Sequence, residues 1–194
     1  MTKQFRVRLP RALGALLALA ATAAAAAPAS DAAALLEQAR ALFAPLPKDM
    51  ATPETPLTPA RVELGRLLFF EPRVSLDGTV SCSRCHQPSL YGTDALALSN
   101  GAKGRANPRN APTVLNSALQ LSAHWHGDRT SVEDQATKAL LGPASFGQPA
   151  FDAPMARLKA IPAYVRLFHA AFPGDADPVT PANWGKAIGA YERT

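Results

Sequence analysis

The sequence predicts a mainly α-helical domain with long loops, and three observations carry that reading. Apolar residues recur at helical spacing behind proline or hydroxyl starts. No alternating run of useful length marks a strand, and no internal repeat appears. Residues 91–112, "YGTDALALSNGAKGRANPRNAP", lack a periodic core face. A loop that long in a compact domain is functional or rests on something bulky.

Lys3, Arg6, Arg8 and Arg11 precede an uncharged Leu/Ala-rich run over residues 12–27 that ends in small residues. Residues 1–30 therefore read as a secretory signal peptide, cleaved between residues 25 and 30, in preference to a retained membrane anchor. No other membrane segment is expected. The chain carries a formal net charge of +5, but the leader holds four of its twenty basic residues and none of its fifteen acidic ones. The mature chain is thus nearly neutral, with Lys and Arg scattered among carboxylates, and nucleic acid is set aside as a partner.

Residues 31–46 place Leu35, Leu36, Ala39, Leu42 and Phe43 at helical spacing, with Asp31 positioned as the cap. A proline-rich connector follows, so that residues 31–58 form an N-terminal helix and linker and residues 59–194 a domain. Proline at the first helical position marks three later helices, led by Pro59, Pro162 and Pro181. Thr130 with Glu133 three residues on reads as a capping box before "DQATKALL". The segments "APTVLNSAL" and residues 155–161 are also read as helical. Trp184, Ala187, Ile188 and Tyr191 make an apolar stripe on the last helix, and the chain reads as cut in or just after it.

The stretch "VSCSRCHQPS" holds Cys82 and Cys85, the two cysteines of the chain, with His86 immediately after them. A structural zinc site needs about four ligands, and no second ligand pair at finger-like spacing exists. A thioredoxin-like pair belongs in a strand-to-helix context and leaves His86 without a role. Covalent haem accounts for all three residues: on a short helical turn the thiols reach two vinyl groups, and His86 lies below the ring to bind iron. One haem c is therefore read in this chain.

The neighbourhood of the motif, "ELGRLLFFEPRVSLDGTVSCSRCHQP", "PRNAPTVLNSA", "HWHGDRTSVEDQA" and "FPGDADPVTPANWGKAIGAYERT", resembles the bacterial dihaem cytochrome c peroxidase family, which includes the MauG-type maturation enzymes. The resemblance runs from about residue 62 to residue 194 and matches only the family's N-terminal haem domain. It implies a periplasmic family of two cytochrome c-like helical domains, each around a covalently bound haem; this chain, matching the first alone, reads as a fragment or as a natural single-haem form. The implied substrate is hydrogen peroxide, reduced with electrons from a small cytochrome c or a cupredoxin. A homodimer remains open.

Residue by residue, the resemblance assigns Cys82 and Cys85 to haem attachment and His86 to the proximal iron position. Trp125 matches an electron relay between haems, and Asn110 matches a residue that helps to hold calcium. Two departures concern mechanism. The position aligned with a distal histidine is Ala102, which cannot ligate iron. Where the family has a glutamate after a Gly-Pro pair, Gln148 is nearest, and an amide does not transfer protons as a carboxyl group does. Gln148 is carried as a catalytic candidate with Arg129, whose guanidinium suits a propionate or a departing oxygen, or else a surface pair with Asp128 or Glu133.

Four readings stand for the sixth iron position: vacancy, as in MauG-type first haems; His124 or His126; Met155 or Met50; or a group supplied by domain rearrangement. In an extended segment His124 and His126 would share one side, with Trp125 opposite. Met155 sits at core spacing, Met50 in the proline-rich loop, and His169 on a solvated helix face. The function read from the sequence is a c-type haem peroxidase. The alternatives are a single-haem electron-transfer cytochrome without peroxidase activity, or MauG-like oxidation of a partner protein.

Overall fold

The computed structural model describes residues 29–194, so the leader read at residues 1–30 lies almost entirely outside the described residues. Among the described residues there are seven α-helices and no strand. The chain divides into a unit up to Leu46 and a second unit, Pro47–Thr194. Among the described residues no helix is long and apolar enough to cross a membrane.

The first unit carries helix α1, Ala29–Leu42. It starts before Asp31, which therefore lies in the first turn beside the positive end of the helix dipole instead of capping it. The apolar residues Leu35, Leu36, Leu42 and Phe43 are exposed.

The second unit is built from α2 (Pro59–Phe69), α3 (Cys82–Cys85), α4 (Val132–Ala139), α5 (Asp152–Lys159), α6 (Pro162–Ala171) and α7 (Pro181–Glu192). Thr58 caps α2 by accepting from Arg61 N at 3.3 Å, and Thr180 caps α7 by accepting from Asn183 N at 3.2 Å. Each is followed by the proline expected at the first helical position. On α4 the capping box sits one residue later than expected. Ser131 accepts from Asp134 N, and the Asp134 carboxylate accepts from Thr130 N. Glu133 is thereby released to pair with Arg193 at 2.7 Å.

α7 is the centre of the unit. Trp184, Ala187 and Ile188 are fully buried, against Leu64 and Leu68 of α2 and Leu140 just beyond α4. Burying a side chain of this size contributes about 1.5–3 kcal/mol. Two glycines let the backbones meet: a Cβ on Gly65 would lie 1.8 Å from the Ala187 carbonyl oxygen, and one on Gly185 would lie 2.1 Å from Thr137 Oγ1. Trp184 donates from Nε1 to the Ala136 carbonyl at 3.1 Å, so the indole satisfies its polar edge inside the core. The connector joins this unit, since Met50 N donates to Arg193 O at 3.0 Å and Arg193 donates back to Met50 O at 2.9 Å.

The helix expected over "APTVLNSAL" is a single 3₁₀ turn, Ser117–Leu119. Asn116 adopts φ +57°, and Thr113 turns its hydroxyl to Tyr91 O at 2.6 Å. These local bonds replace the helical ladder. The segment read as helical from residue 155 forms α5, with Met155 buried in the core, and His169 is exposed on α6.

Candidate functional site

The approach to the cysteines is held rigidly. Leu76 N donates to Phe146 O at 2.8 Å, Gln148 donates from Nε2 to Val74 O at 2.6 Å, and Val80 N donates to Ser75 Oγ at 3.0 Å. α3 is one helical turn, closed by His86 N donating to Cys82 O at 2.9 Å. His86 Nδ1 lies 3.1 Å from both Gly92 O and Pro112 O. Carbonyl oxygens only accept, so Nδ1 carries the proton and Nε2 keeps its lone pair for a ligand. Burial pushes the imidazole below its ordinary value, against the two carbonyl bonds that would raise it. His86 is therefore neutral at pH 7, the form that binds metals.

Burial also pushes both thiols up, with the Glu192 carboxyl adding to the effect at Cys82 and Asp94 at Cys85. A redox dithiol needs the opposite, a stabilised thiolate. Neutral thiols held on one turn suit thioether formation.

The three residues open onto a cavity of about 460 Å³. That lies within the range of about 300–1,000 Å³ usual for cofactor and ligand sites. Its wall includes Val80, the loop residues 107–108 and 110–114, Trp125, the inner face of α4, and Ile188 with Glu192 of α7. Among the described residues, three buried side-chain polar atoms lack a partner: Ser99 Oγ, Arg129 Nε and Gln135 Oε1. All three belong to residues that line this cavity. Buried polar groups are almost always satisfied, so these atoms are arranged for a polar group that enters the cavity. The apolar walls, the paired thiols, the free imidazole nitrogen and the unpartnered polar atoms together fit haem c.

The other predicted residues divide. Arg129 lines the cavity; its Nη1 pairs with Asp128 while its Nε stays buried and unpartnered. Trp125 also lines the cavity at its mouth, half exposed, with Nε1 donating to Asn110 O at 2.8 Å and the Arg109 guanidinium 5.6 Å from its ring centre.

Asn110 contributes its main chain to this anchor, and its side chain is exposed. Among the described residues no three His, Cys, Asp or Glu side chains come together to hold a metal ion.

Gln148 does not join the cavity residues. It is buried outside the cavity wall, and its amide is committed to Val74 O, which gives it a structural task. Ala102 is likewise buried away from the cavity. Its N–H donates to Ser145 O at 2.8 Å, and its loop presses so closely on the next that a Cβ on Gly101 would lie 2.1 Å from Ala144 O.

The segment around Trp125 is a turn and not a strand, closed by Ala123 N donating to Arg129 O at 2.9 Å with His124 at φ +70°. His124 and Trp125 therefore both reach the cavity, and His126 is outside its wall. His124 Nδ1 lies 2.7 Å from Asp128 Oδ1. Met50 and Met155 are also absent from the wall.

Ser99, Gln135 and Glu192 were not among the residues read from the sequence. Gln135 falls on the same side of α4 as Val132 and Ala139, and Glu192 follows Ile188 by four residues, so both lie on the stripe that a helical reading assigns to the interior. Ser99 sits in the long loop, where no periodicity marks it.

Residues 59–194 match the family model described as di-haem cytochrome c peroxidase. The methylamine utilization protein MauG of Methylorubrum extorquens is 40% identical over 139 residues, 72% of this chain and 39% of that protein. The cytochrome c551 peroxidase of Pseudomonas aeruginosa is 36% identical over 169 residues, 85% of this chain and 48% of that protein. The crystal structure of a MauG-like protein associated with microbial copper homeostasis superposes with a TM-score of 0.69 at 34% identity, covering 78% of this chain and 45% of that one. The chain thus spans about half the length, or less, of the curated relatives it matches. On its sequence, its fold and the residues around its cavity, the chain belongs to the di-haem cytochrome c peroxidase family.

Proposed function

We propose that this chain is a periplasmic haem c domain that reduces hydrogen peroxide with electrons from a small redox protein, a cytochrome c or a cupredoxin. The observation that carries the proposal is the His86 imidazole, with Nδ1 bound to two carbonyls and Nε2 free, beside two neutral thiols in a cavity whose unpartnered polar atoms lie on Ser99, Arg129 and Gln135. When bound, haem c supplies the iron at which peroxide and electrons meet.

The residues of the chain then have separable tasks. Cys82 and Cys85 would hold the group covalently, and His86, its imidazole oriented by Gly92 and Pro112, would ligate it. Arg129 offers a fixed positive charge whose Nε–H is free to hold a propionate or to stabilise negative charge on a departing oxygen. Gln135 presents an acceptor at the same wall and orients a hydrogen-bond donor, without itself moving a proton. Trp125, anchored on Asn110, provides an aromatic surface at the mouth through which electrons can enter.

A second reading rests on His124, the histidine other than His86 in the cavity wall. If its imidazole closes the iron, the chain is an electron-transfer cytochrome. Oxidation of a partner protein uses the same residues as peroxide reduction. The test is steady-state peroxide consumption by the haem-loaded protein with a reduced small cytochrome c or cupredoxin as donor. Turnover that falls on Arg129→Gln with haem content intact supports the proposal, and equal turnover in the variant contradicts the role given to Arg129. Oxidation of the donor without peroxide consumption identifies the carrier.

A further inference from the structure

Glu192 is a carboxyl group for which the preceding account has no use. It stands in the last turn of α7, lines the cavity with Ile188 and Cys82, and makes no side-chain hydrogen bond among the described residues. The nearest cation, Arg193, is already engaged: its Nε and Nη2 donate to Glu133 at 2.7 and 3.2 Å, and Nη1 donates to Met50 O. The charged groups around Glu192 are therefore Glu133 of α4, which repels its ionised form, and Arg193 at the end of its own helix, which favours it less strongly. From α3 it faces the Cys82 thiol, which feels its charge. An acid walled in this way, at the attachment point of a group whose charge changes, must respond to that change, because in a low-dielectric site charges interact strongly.

We propose that Glu192 is the redox-linked proton acceptor of the haem cavity: it takes up one proton from solvent as the iron takes one electron from its redox-protein donor, and releases the proton when the electron leaves. The proposal rests on the haem c reading of the cavity. Electrons and protons balance, since the donor loses one electron, the bound group gains one, and the Glu192 carboxylate becomes the neutral acid. The sign follows from charge alone. Oxidised haem carries one more positive charge than reduced haem and stabilises the carboxylate, so the proton binds more tightly in the reduced state. Burial, aided by the Glu133 carboxylate and opposed by Arg193, pushes Glu192 up to about 8 even without the haem, which places the exchange near neutral pH.

The experiment is a redox titration of the haem-loaded protein between pH 6 and pH 9.5, following the Soret band, for the unaltered chain and for Glu192→Gln. In the unaltered protein the midpoint potential should fall as pH rises, the redox equilibrium shifting by up to about tenfold per pH unit where one proton accompanies one electron. In Glu192→Gln the dependence should vanish, with the potential staying at the acidic limit of the unaltered protein, because the amide resembles the neutral acid. A flat profile in the unaltered protein, or the same slope in the variant, overturns the proposal. Should the variant not take up haem, the redox-difference infrared spectrum of the unaltered protein decides: a carboxylic C=O band gained on reduction supports the proposal and its absence overturns it. A protein that attaches no haem overturns the reading of the cavity itself. One that shows the slope but consumes no peroxide keeps Glu192 in this role and refutes only the peroxidase.

Discussion

His86 Nδ1 donates to the carbonyl oxygen of Pro112, 26 residues further along the chain, at 3.1 Å. That bond ties the turn carrying the cysteines to the end of the long loop, and with the matching bond to Gly92 it turns the imidazole so that Nε2 keeps its lone pair for a ligand.

Replacing His86 by Ala removes the ligand and leaves the attachment. The variant should keep covalent haem, measured as haem staining in a denaturing gel and by the pyridine haemochrome, while the native spectrum loses its imidazole character. Added imidazole should restore that character. Loss of all covalent haem in His86→Ala would show that the residue acts in attachment and not only in ligation.

Gln148 should prove structural. Gln148→Leu removes a buried donor to Val74 O and strands the carbonyl, which costs about 1–3 kcal/mol. Denaturant unfolding should register that loss, and peroxide turnover per mole of folded protein should stay unchanged. A selective drop in turnover with unaltered stability would return Gln148 to the catalytic set.

The buried Glu71 carboxylate accepts from Tyr164 Oη at 2.8 Å and from Arg73 Nε at 2.6 Å. Burial would raise this carboxyl group, but the bonds from Arg73 and Tyr164 outweigh it and hold Glu71 below the usual carboxylate range. A depressed native value contributes stability above the unfolded value of about 4.3, and that contribution is lost as pH falls through the native one. Tyr164→Phe should lower stability by about 1.5–3 kcal/mol at pH 7. The deficit should shrink in unfolding titrations carried toward pH 3.

The approach of α2 to α7 depends on Gly65. Gly65→Ala places a methyl group 1.8 Å from the Ala187 carbonyl oxygen, where only backbone movement can relieve the clash. The expected loss is about 1–3 kcal/mol or more, read as a lowered midpoint of thermal unfolding. Ala187→Gly, whose change lies in its side chain and not in its carbonyl, should not rescue it.

Much of this architecture is legible in the sequence, for physical reasons. Pro59, Pro162 and Pro181 mark helix starts because a proline at the first helical position forfeits no hydrogen bond, and all three lead helices. The Cys82, Cys85 and His86 spacing is local chemistry, so it survives without knowledge of the fold. What the sequence leaves unmarked depends on contacts distant in sequence. Gln148 is positioned by Val74, 74 residues earlier, and no local pattern announces that bond. The turn at His124 carries no periodic signal, and left-handed φ values at His124 and Gly127 reverse the chain there. Glu192 falls four residues after Ile188 on the inner stripe, but a charged residue in a last helical turn ordinarily faces solvent, and its place in the cavity wall decides between the two.

The most direct test of the central claim, a haem c cavity ligated by His86 with an open opposite face, is the EPR spectrum of the purified oxidised haem-loaded protein before and after one equivalent of hydrogen peroxide. The account predicts a high-spin ferric signal that disappears on addition of peroxide, with a matching change in the optical spectrum. A low-spin, six-coordinate signal indifferent to peroxide would contradict it and assign the second axial position to His124.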